Sequence, residues 1–256
     1  MNTCSPVANA PILTLITVVR NGAATLDACI QSVIAHQAPR VDYVVIDGGS
    51  TDGTVDLLRR YDDQIAFWSS EPDAGIYDAM NKGVRRATGD WILFLGSDDT
   101  LSIDLSAILP LLQNKRTVYY GNAWWRQSRR TYDGPFSASK LALTNLCHQA
   151  VFYPRQALLK HPFNLKYQTQ ADWEVNMQCF SDPAFRFQYI PKTIATYDDA
   201  SGISSTRRDW ALEHDYLRLL WRHFPWPVAL WRSVITLGGR VLRKLGWKGR
   251  PPYAKR

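Results

Sequence analysis

The sequence is poor in sulfur, with four cysteines and three methionines in 256 residues. Cys4, Cys29, Cys147 and Cys179 form no CxxC pair and no metal-finger spacing. Cys29 falls on an apolar helix face, a common setting for a small buried thiol in a reducing compartment, so the expected location is intracellular. No stretch offers the ~20 uninterrupted apolar residues that a membrane span requires. The first apolar run, "PILTLITVV" (11–19), follows no basic segment and reads as a strand rather than a signal peptide. Two nucleotide fingerprints are also missing. "GGSTDG" at 48–53 does not fit GxGxxG, and no GxxxxGK[ST] occurs, so the dinucleotide and P-loop readings lose their main support. There is no internal repeat and no low-complexity linker.

Acidic residues are absent from one region. Residues 216–256 contain ten Lys and Arg and no Asp or Glu. Subtracting that +10 from the net +7 leaves −3 on the first 215 residues. The basic residues alternate with Trp221, Phe224, Trp226, Trp231, Leu237, Val241, Leu242, Leu245 and Trp247. Trp, Leu and Arg together are the composition of a helix lying in a membrane interface and drawn to anionic lipid. The alternative is a solvated helix that completes the fold. No recognition motif accompanies the charge, so nucleic acid is not an expected partner.

The chain is 46% hydrophobic, which supports a substantial core. Strand-like runs at 11–19, 41–46, 65–70 and 91–95 alternate with helical patterns. Leu26, Cys29, Ile30, Val33 and Ile34 lie at i, i+3, i+4, i+7 and i+8, one face of a helix. Helices are also expected after residue 52, over 74–87 and over about 102–113. This alternation predicts a doubly wound, mostly parallel α/β sheet over the first ~115 residues. The second half is less regular, with strands at 117–125, 147–154, "FRFQYI" and "TIATYDD", and a helix at 170–180 carrying Trp173, Met177 and Phe180 on one side. From about Thr206 the chain is helical again, with Trp210, Leu217, Leu220 and Phe224 as its apolar positions. The expected organisation is one domain over 11–205, split into halves at 115/116, followed by a basic amphipathic extension over 206–256.

In doubly wound sheets ligands lie outside the carboxyl ends of the strands. Asn21, Asp47, Asp73, Asp98 and Asp99 all follow candidate strand ends, so they are expected to share one rim. Carboxylates repel phosphate unless a hard divalent cation lies between them, and Mg²⁺ or Mn²⁺ is typically held by one or two carboxylates plus substrate phosphates. For Asp47 the alternative is a turn that folds back on Gly48–Gly49.

Five blocks carry a resemblance: "ITVVRNGAATLDACIQSVIAHQ" (16–37), "VVIDGGSTDGT" (44–54), "EPDAGIYDAMNKGVRRATGDWILFLGSDD" (71–99), "CHQAVFYPR" (147–155) and "QADWE" (170–174). In this order the chain resembles a family 2 glycosyltransferase of the GT-A fold, in the bacterial O-antigen and exopolysaccharide branch. The resemblance implies an inverting transferase that moves a sugar from a nucleoside diphosphate, most simply a UDP-sugar, to a hydroxyl of a glycan or lipid-linked acceptor. It also implies a Mg²⁺ or Mn²⁺ cofactor and work at the inner face of the cell membrane, where the basic tail would attach the enzyme peripherally.

By the same resemblance Val18, Val19, Asn21, Asp47, Asp52, Lys82 and Asp98 are nucleotide contacts and Asp99 is the metal ligand. Asp172 is the catalytic base, with Glu174 and Asp198–Asp199 as rivals. Asp73, His148, Gln149 and Trp173 face the donor or acceptor, and Trp124, Trp125 and Trp173 are candidates for a sugar-stacking platform. Two positions depart from the family pattern. Arg20 replaces a usual aromatic residue, and Met80–Asn81 stands where many members have Arg–Asn. Two other functions compete. A sugar nucleotidyltransferase would need a Gly-rich, basic loop after the first strand, which "VVRNGAATLD" matches poorly, and a non-catalytic membrane-bound binding module would have lost turnover.

Overall fold

A computed structural model describes residues 10–132, 134–200 and 208–244. It opens with alternating strands and helices: β1 (Leu13–Val19), α1 (Leu26–Ala35), β2 (Val41–Asp47), α2 (Thr54–Arg60), β3 (Phe67–Ser70), α3 (Ile76–Arg86) and β4 (Trp91–Gly96). Then follow β5 (Thr100–Leu101), β6 (Thr117–Trp125), β7 (Arg130–Tyr132), α4 (Ala138–Leu143), β8 (Val151–Pro154), α5 (Arg155–Lys160), α6 (Ala171–Ser181) and β9 (Arg186–Tyr197). Helices α7 (Trp210–His223) and α8 (Trp226–Lys244) close the described chain.

The strands join in the order β3-β2-β1-β4-β8-β6-β9-β5, with β7 paired to β6. β3, β2, β1 and β4 run parallel, and β8 enters antiparallel to β4. One continuous sheet therefore spans both halves of the chain. Its strands alternate sides with the two-residue period of the pleat. Leu13, Leu15, Tyr43, Val45, Leu93 and Leu95 face the layer of α1 and α2, while Ile16, Val44, Ile46, Ile92 and Phe94 face that of α3, α6 and α7. The expected stripe on α1 is buried at Leu26, Cys29, Ile30 and Val33. Each such aliphatic side chain contributes about 1.5–3 kcal/mol. α7 belongs to the same core through Leu212, Tyr216, Leu219 and Leu220.

Four local expectations are corrected. Residues 102–113 form no α-helix but two single 3₁₀ turns, Leu105–Ala107 and Leu109–Leu111. Pro110 lacks the N–H that a helix interior needs, and the Asp104 carboxylate caps the first turn by accepting from Ser106 N. The segment 147–154 is a 3₁₀ turn at His148–Ala150 followed by a four-residue strand. "FRFQYI" and "TIATYDD" are one strand, β9. Pro191 falls where the β6–β9 register slips, a bulge that needs no ladder donor there. Trp210 opens α7 but is 68% exposed, so it is no core position. Thr206 lies outside the described residues.

Candidate active site

The carboxyl ends of β1 and β4, the start of α3, the segment after α4 and the first turn of α6 enclose one cleft of about 790 Å³. Val18, Val19, Asn21, Asp73, Asp98, His148, Gln149, Asp172 and Trp173 all line it. These positions are spread over more than 150 residues of sequence, and the sheet order brings them together.

Asn21 adopts a left-handed backbone (φ 53°) and ties two loops together. Its N–H donates to Ser50 Oγ at 2.7 Å, and its side-chain oxygen accepts from Thr51 N at 2.9 Å. Asp73 accepts from Gly75 N at 2.8 Å. A Cβ on Gly48 would meet Asp73 Oδ2 at 2.3 Å, so only glycine lets that carboxylate close on the turn after β2.

Asp98 and Asp99 separate at the end of β4. Asp98 lies in the cleft wall, and its pKa is raised by burial and by the charge of Asp198, with His148 and Arg126 pulling the other way. Asp99 is 1% exposed and is not part of the wall. One of its oxygens accepts from Gln149 Nε2 at 2.8 Å and the other from Asp198 N at 2.7 Å. Burial, then the neighbouring Asp98 charge, pushes its carboxyl up to about 7. Gly96 makes room for both. A Cβ there would lie 2.5 Å from Asp99 Oδ2 and 2.8 Å from Asp98 Oδ1.

Across the cleft, Asp172 stands in the first turn of α6, held by side chains from two other segments. Tyr77 donates to Oδ1 at 2.8 Å, Asn145 donates to Oδ2 at 2.6 Å, and His148 Nδ1 lies 3.3 Å from Oδ2. Behind it Asn176 donates to Asn145 Oδ1 at 2.8 Å and accepts from the Tyr153 hydroxyl at 2.9 Å. Burial, then the Asp172 charge, raises the Tyr77 phenol well above its usual range, which keeps it a donor. Tyr77, Asn145 and Asn176 were not singled out from the sequence. Asn145 lies two residues before the "CHQ" block and carries no signal of its own, because its partner is 27 residues away.

Three expected contacts are occupied elsewhere. Asp47 is fully buried, and its carboxylate accepts from Gly49 N, Ser50 N, Ser50 Oγ and Ser70 Oγ. That is the turn-forming alternative. Asp52 accepts from Ala23 N at 3.0 Å and Thr54 N at 3.1 Å, which braces the β1–α1 loop against α2. Lys82 donates to Pro72 O at 2.9 Å and pairs with Glu71 and Asp78. Burial works against its charge, but those carboxylates outweigh it and hold the ammonium above its usual range. None of the three lines the cleft.

Of the three tryptophans, Trp125 and Trp173 line the cleft, each also packed against a tyrosine. Trp173 packs on Tyr216 with its indole N–H donated to Leu141 O at 2.8 Å. Trp125 stacks on Tyr132 at 4.7 Å between centroids, and Trp124 is not in the cleft wall. Cys29 is fully buried, its thiol donates to Gly96 O at 3.3 Å, and burial pushes its pKa up to about 12.

No group of three or more His, Cys, Asp or Glu side chains among the described residues is placed to hold a metal ion by itself. The donor set still fits Mg²⁺ or Mn²⁺, which take one or two carboxylates and complete their shell with substrate phosphates and water. Asp98 offers hard oxygen donors to the cleft, the donor type these ions take.

A half-parallel α/β sheet with carboxylates rimming a cleft at its strand ends is the doubly wound arrangement in which ligands bind outside the strand ends. Residues 14–193 match the family Glycosyl transferase family 2, and the chain belongs to it. It is 35% identical over 206 residues to a PGL/p-HBAD biosynthesis glycosyltransferase of Mycobacterium bovis, covering 77% of this chain and 80% of that one. Two solved structures share the fold. S. aureus TarS 1-349 in complex with UDP-GlcNAc gives a TM-score of 0.64 at 16% identity, covering 82% of this chain and 64% of that one. This chain thus spans just under two thirds of the TarS structure. The mannosyltransferase PcManGT from Pyrobaculum calidifontis, in complex with GDP-Man and Mn²⁺, gives 0.61 at 16% identity, covering 96% and 68%. The GT-A fold expected from the sequence is the fold observed.

Proposed function

We propose that this glycosyltransferase moves a sugar from a nucleoside diphosphate, a UDP-sugar by preference, to a hydroxyl of a glycan or lipid-linked acceptor, with inversion. The setting is surface-polysaccharide assembly of the O-antigen type, at the cytoplasmic face of the membrane. One observation carries this reading: Asp172, gripped by Tyr77, Asn145 and His148, shares a cleft with Asp98.

Asp172 takes the proton of the acceptor hydroxyl as its oxygen bonds to the anomeric carbon and the bond from that carbon to the diphosphate breaks. A hydroxyl is a weak nucleophile until that proton leaves, and a positioned base is worth about 10²–10⁴ in rate. Donation from Tyr77 and Asn145 fixes the orientation of the carboxylate. Asp98 would hold the divalent cation, which moves the metal role the sequence suggested for Asp99 onto its neighbour in the cleft wall, while Asp99 stays engaged by Gln149 and Asp198 N. When bound, the cation would stabilise the negative charge gathering on the leaving diphosphate. Val18, Val19 and Asn21 would contact the nucleotide at the end of β1.

Thermal shift with nucleoside diphosphates tests the reading. UDP or GDP is expected to stabilise the protein only with Mn²⁺, by about 2.7 kcal/mol at a hundred times Kd, and Asp98→Ala to remove the metal-dependent part. A metal-independent shift, or none with any nucleotide, would overturn it. NMR of the product is expected to show the anomeric configuration opposite to that of the donor.

A further inference from the structure

Helix α8 is inside out. Its inward face carries Ala229, Arg232, Ser233 and Thr236 at i, i+3, i+4 and i+7, all buried. Arg232 has no exposed surface, and its Nε donates to the Tyr216 hydroxyl at 2.9 Å and to Ala142 O at 3.3 Å. The outward face carries Trp226, Leu230, Val234, Leu237 and Val241 at i, i+4, i+8, i+11 and i+15. Trp226 is 69% exposed and Val234 63%. A surface helix of a globular protein normally has the opposite arrangement, with apolar residues inward and polar residues outward. Trp221 of α7 extends the stripe, 52% exposed, and its indole N–H donates to Ser233 Oγ at 3.2 Å.

We propose that this outward face of α8, with Trp221 at its edge, is the surface by which the chain lies on an anionic lipid leaflet. The inference rests on the membrane setting proposed above and assigns the docking to named residues. Three observations select lipid as the occupant. Trp with Leu and Val on a helix rich in basic neighbours is interfacial chemistry. The segment 216–256 carries ten basic residues and no acid, and the charge left after the buried Arg232 is set aside complements anionic headgroups. No helix among the described residues is long and apolar enough to cross a membrane, so α8 would lie along the surface. A second copy fits poorly. Isologous pairing sets the same face against itself and would oppose two tails of like charge.

The docked helix is one packing layer from the chemistry. Arg232 reaches α4 at Ala142, Trp173 of α6 donates to Leu141 of the same helix, and Asn145 and His148 follow α4 directly. A lipid-linked acceptor held in the leaflet would lie on the same side of the molecule as the helix that carries Asp172.

The test is co-flotation of the full 256-residue chain with vesicles of phosphatidylcholine containing phosphatidylglycerol, and of phosphatidylcholine alone. Wild type is compared with the triple variant Trp226→Glu, Val234→Glu, Leu237→Glu and with Leu159→Glu, an exposed leucine on α5. Unchanged Tm and unchanged nucleotide binding establish that the variants are folded. The expected result is binding of wild type and Leu159→Glu to the anionic vesicles, with the triple variant weakened about tenfold or more. Tryptophan quenching by brominated lipid is expected in wild type and lost in the triple variant. If wild type binds no vesicle, the membrane setting itself falls. If the triple variant binds as wild type does and salt releases both, tail charge alone carries attachment and the α8 face is wrong. If wild type is a dimer that the triple variant dissociates, with no lipid binding by either, the face joins two copies and the proposal is overturned.

Discussion

Asn145 donates to Asp172 at 2.6 Å and, through its carbonyl oxygen, accepts from Asn176 at 2.8 Å. Its two ends link the proposed base to a buried amide. A carboxylate that must accept a proton in one direction gains from having its other lone pairs committed beforehand. Asn145 is therefore a positioning residue.

Kinetics separate that role from a purely structural one. Asp172→Asn is expected to lower kcat by about 10²–10⁴ while leaving nucleotide binding intact. Asn145→Ala is expected to lower kcat by roughly 10- to 100-fold with KM for the donor little changed. Initial-rate measurements over donor concentration check both, and a rise in KM with unchanged kcat in either variant would contradict the assignment.

Gly96 provides a steric test of the carboxylate pair. Gly96→Ala places a methyl 2.5 Å from Asp99 Oδ2 and 2.8 Å from Asp98 Oδ1, so one or both carboxylates must move. Activity is expected to fall at least about tenfold while Tm changes by only a few degrees, because overpacking here costs roughly 1–3 kcal/mol. Isothermal titration of Mn²⁺ in the presence of UDP is expected to show weakened metal binding in the same variant.

Asp99 gives a pH signature to the metal-free protein. Its carboxyl is raised from 3.8 to about 7, so the folded state retains a proton that the unfolded chain has released over that window. Stability from this group is therefore full below about pH 4 and is lost as pH rises towards about 7. Asp182 and Asp215 act in the opposite direction, since Lys160 and Lys166 hold them below the usual carboxylate range. The informative quantity is thus the difference between variants. Asp99→Asn is expected to gain stability on wild type steadily from about pH 4 to pH 7, measured by denaturant melts in the presence of EDTA.

Asp98 and Asp99 are distinguished by metal dependence. Asp98→Ala is expected to abolish the Mn²⁺-dependent part of the UDP-induced shift in Tm. Asp99→Asn is expected to reduce it without abolishing it, because the Asp99 oxygens are already engaged by Gln149 and Asp198 N. Loss in Asp99→Asn with the shift retained in Asp98→Ala would return the metal to Asp99.

Much of the fold was legible because its causes are local. β4 is a continuous apolar run, β1 an apolar run interrupted only by Thr14 and Thr17, and α1 shows its buried stripe as 3.6-residue spacing. The misreadings also have local causes. An apolar pattern over 102–113 resembled a helix until Pro110 broke it into two turns, and Pro191 made one bulged strand look like two.

At the site, the sequence by itself determined which carboxylates end strands and which blocks carry the resemblance, since strand ends and motif spacing are properties of neighbouring residues. It also determined that the C-terminal segment is basic and rich in tryptophan. Only the tertiary structure decided what each group faces. Asp47 is spent on its own turn, Asp98 looks into the cleft, and Asp99 is held from behind by Gln149, 50 residues further on. The same holds for α8, whose polar side is inward because Arg232 meets Tyr216 and Ala142 from other elements. Periodicity tells which residues share a face, but which face turns inward depends on partners that sequence spacing does not encode.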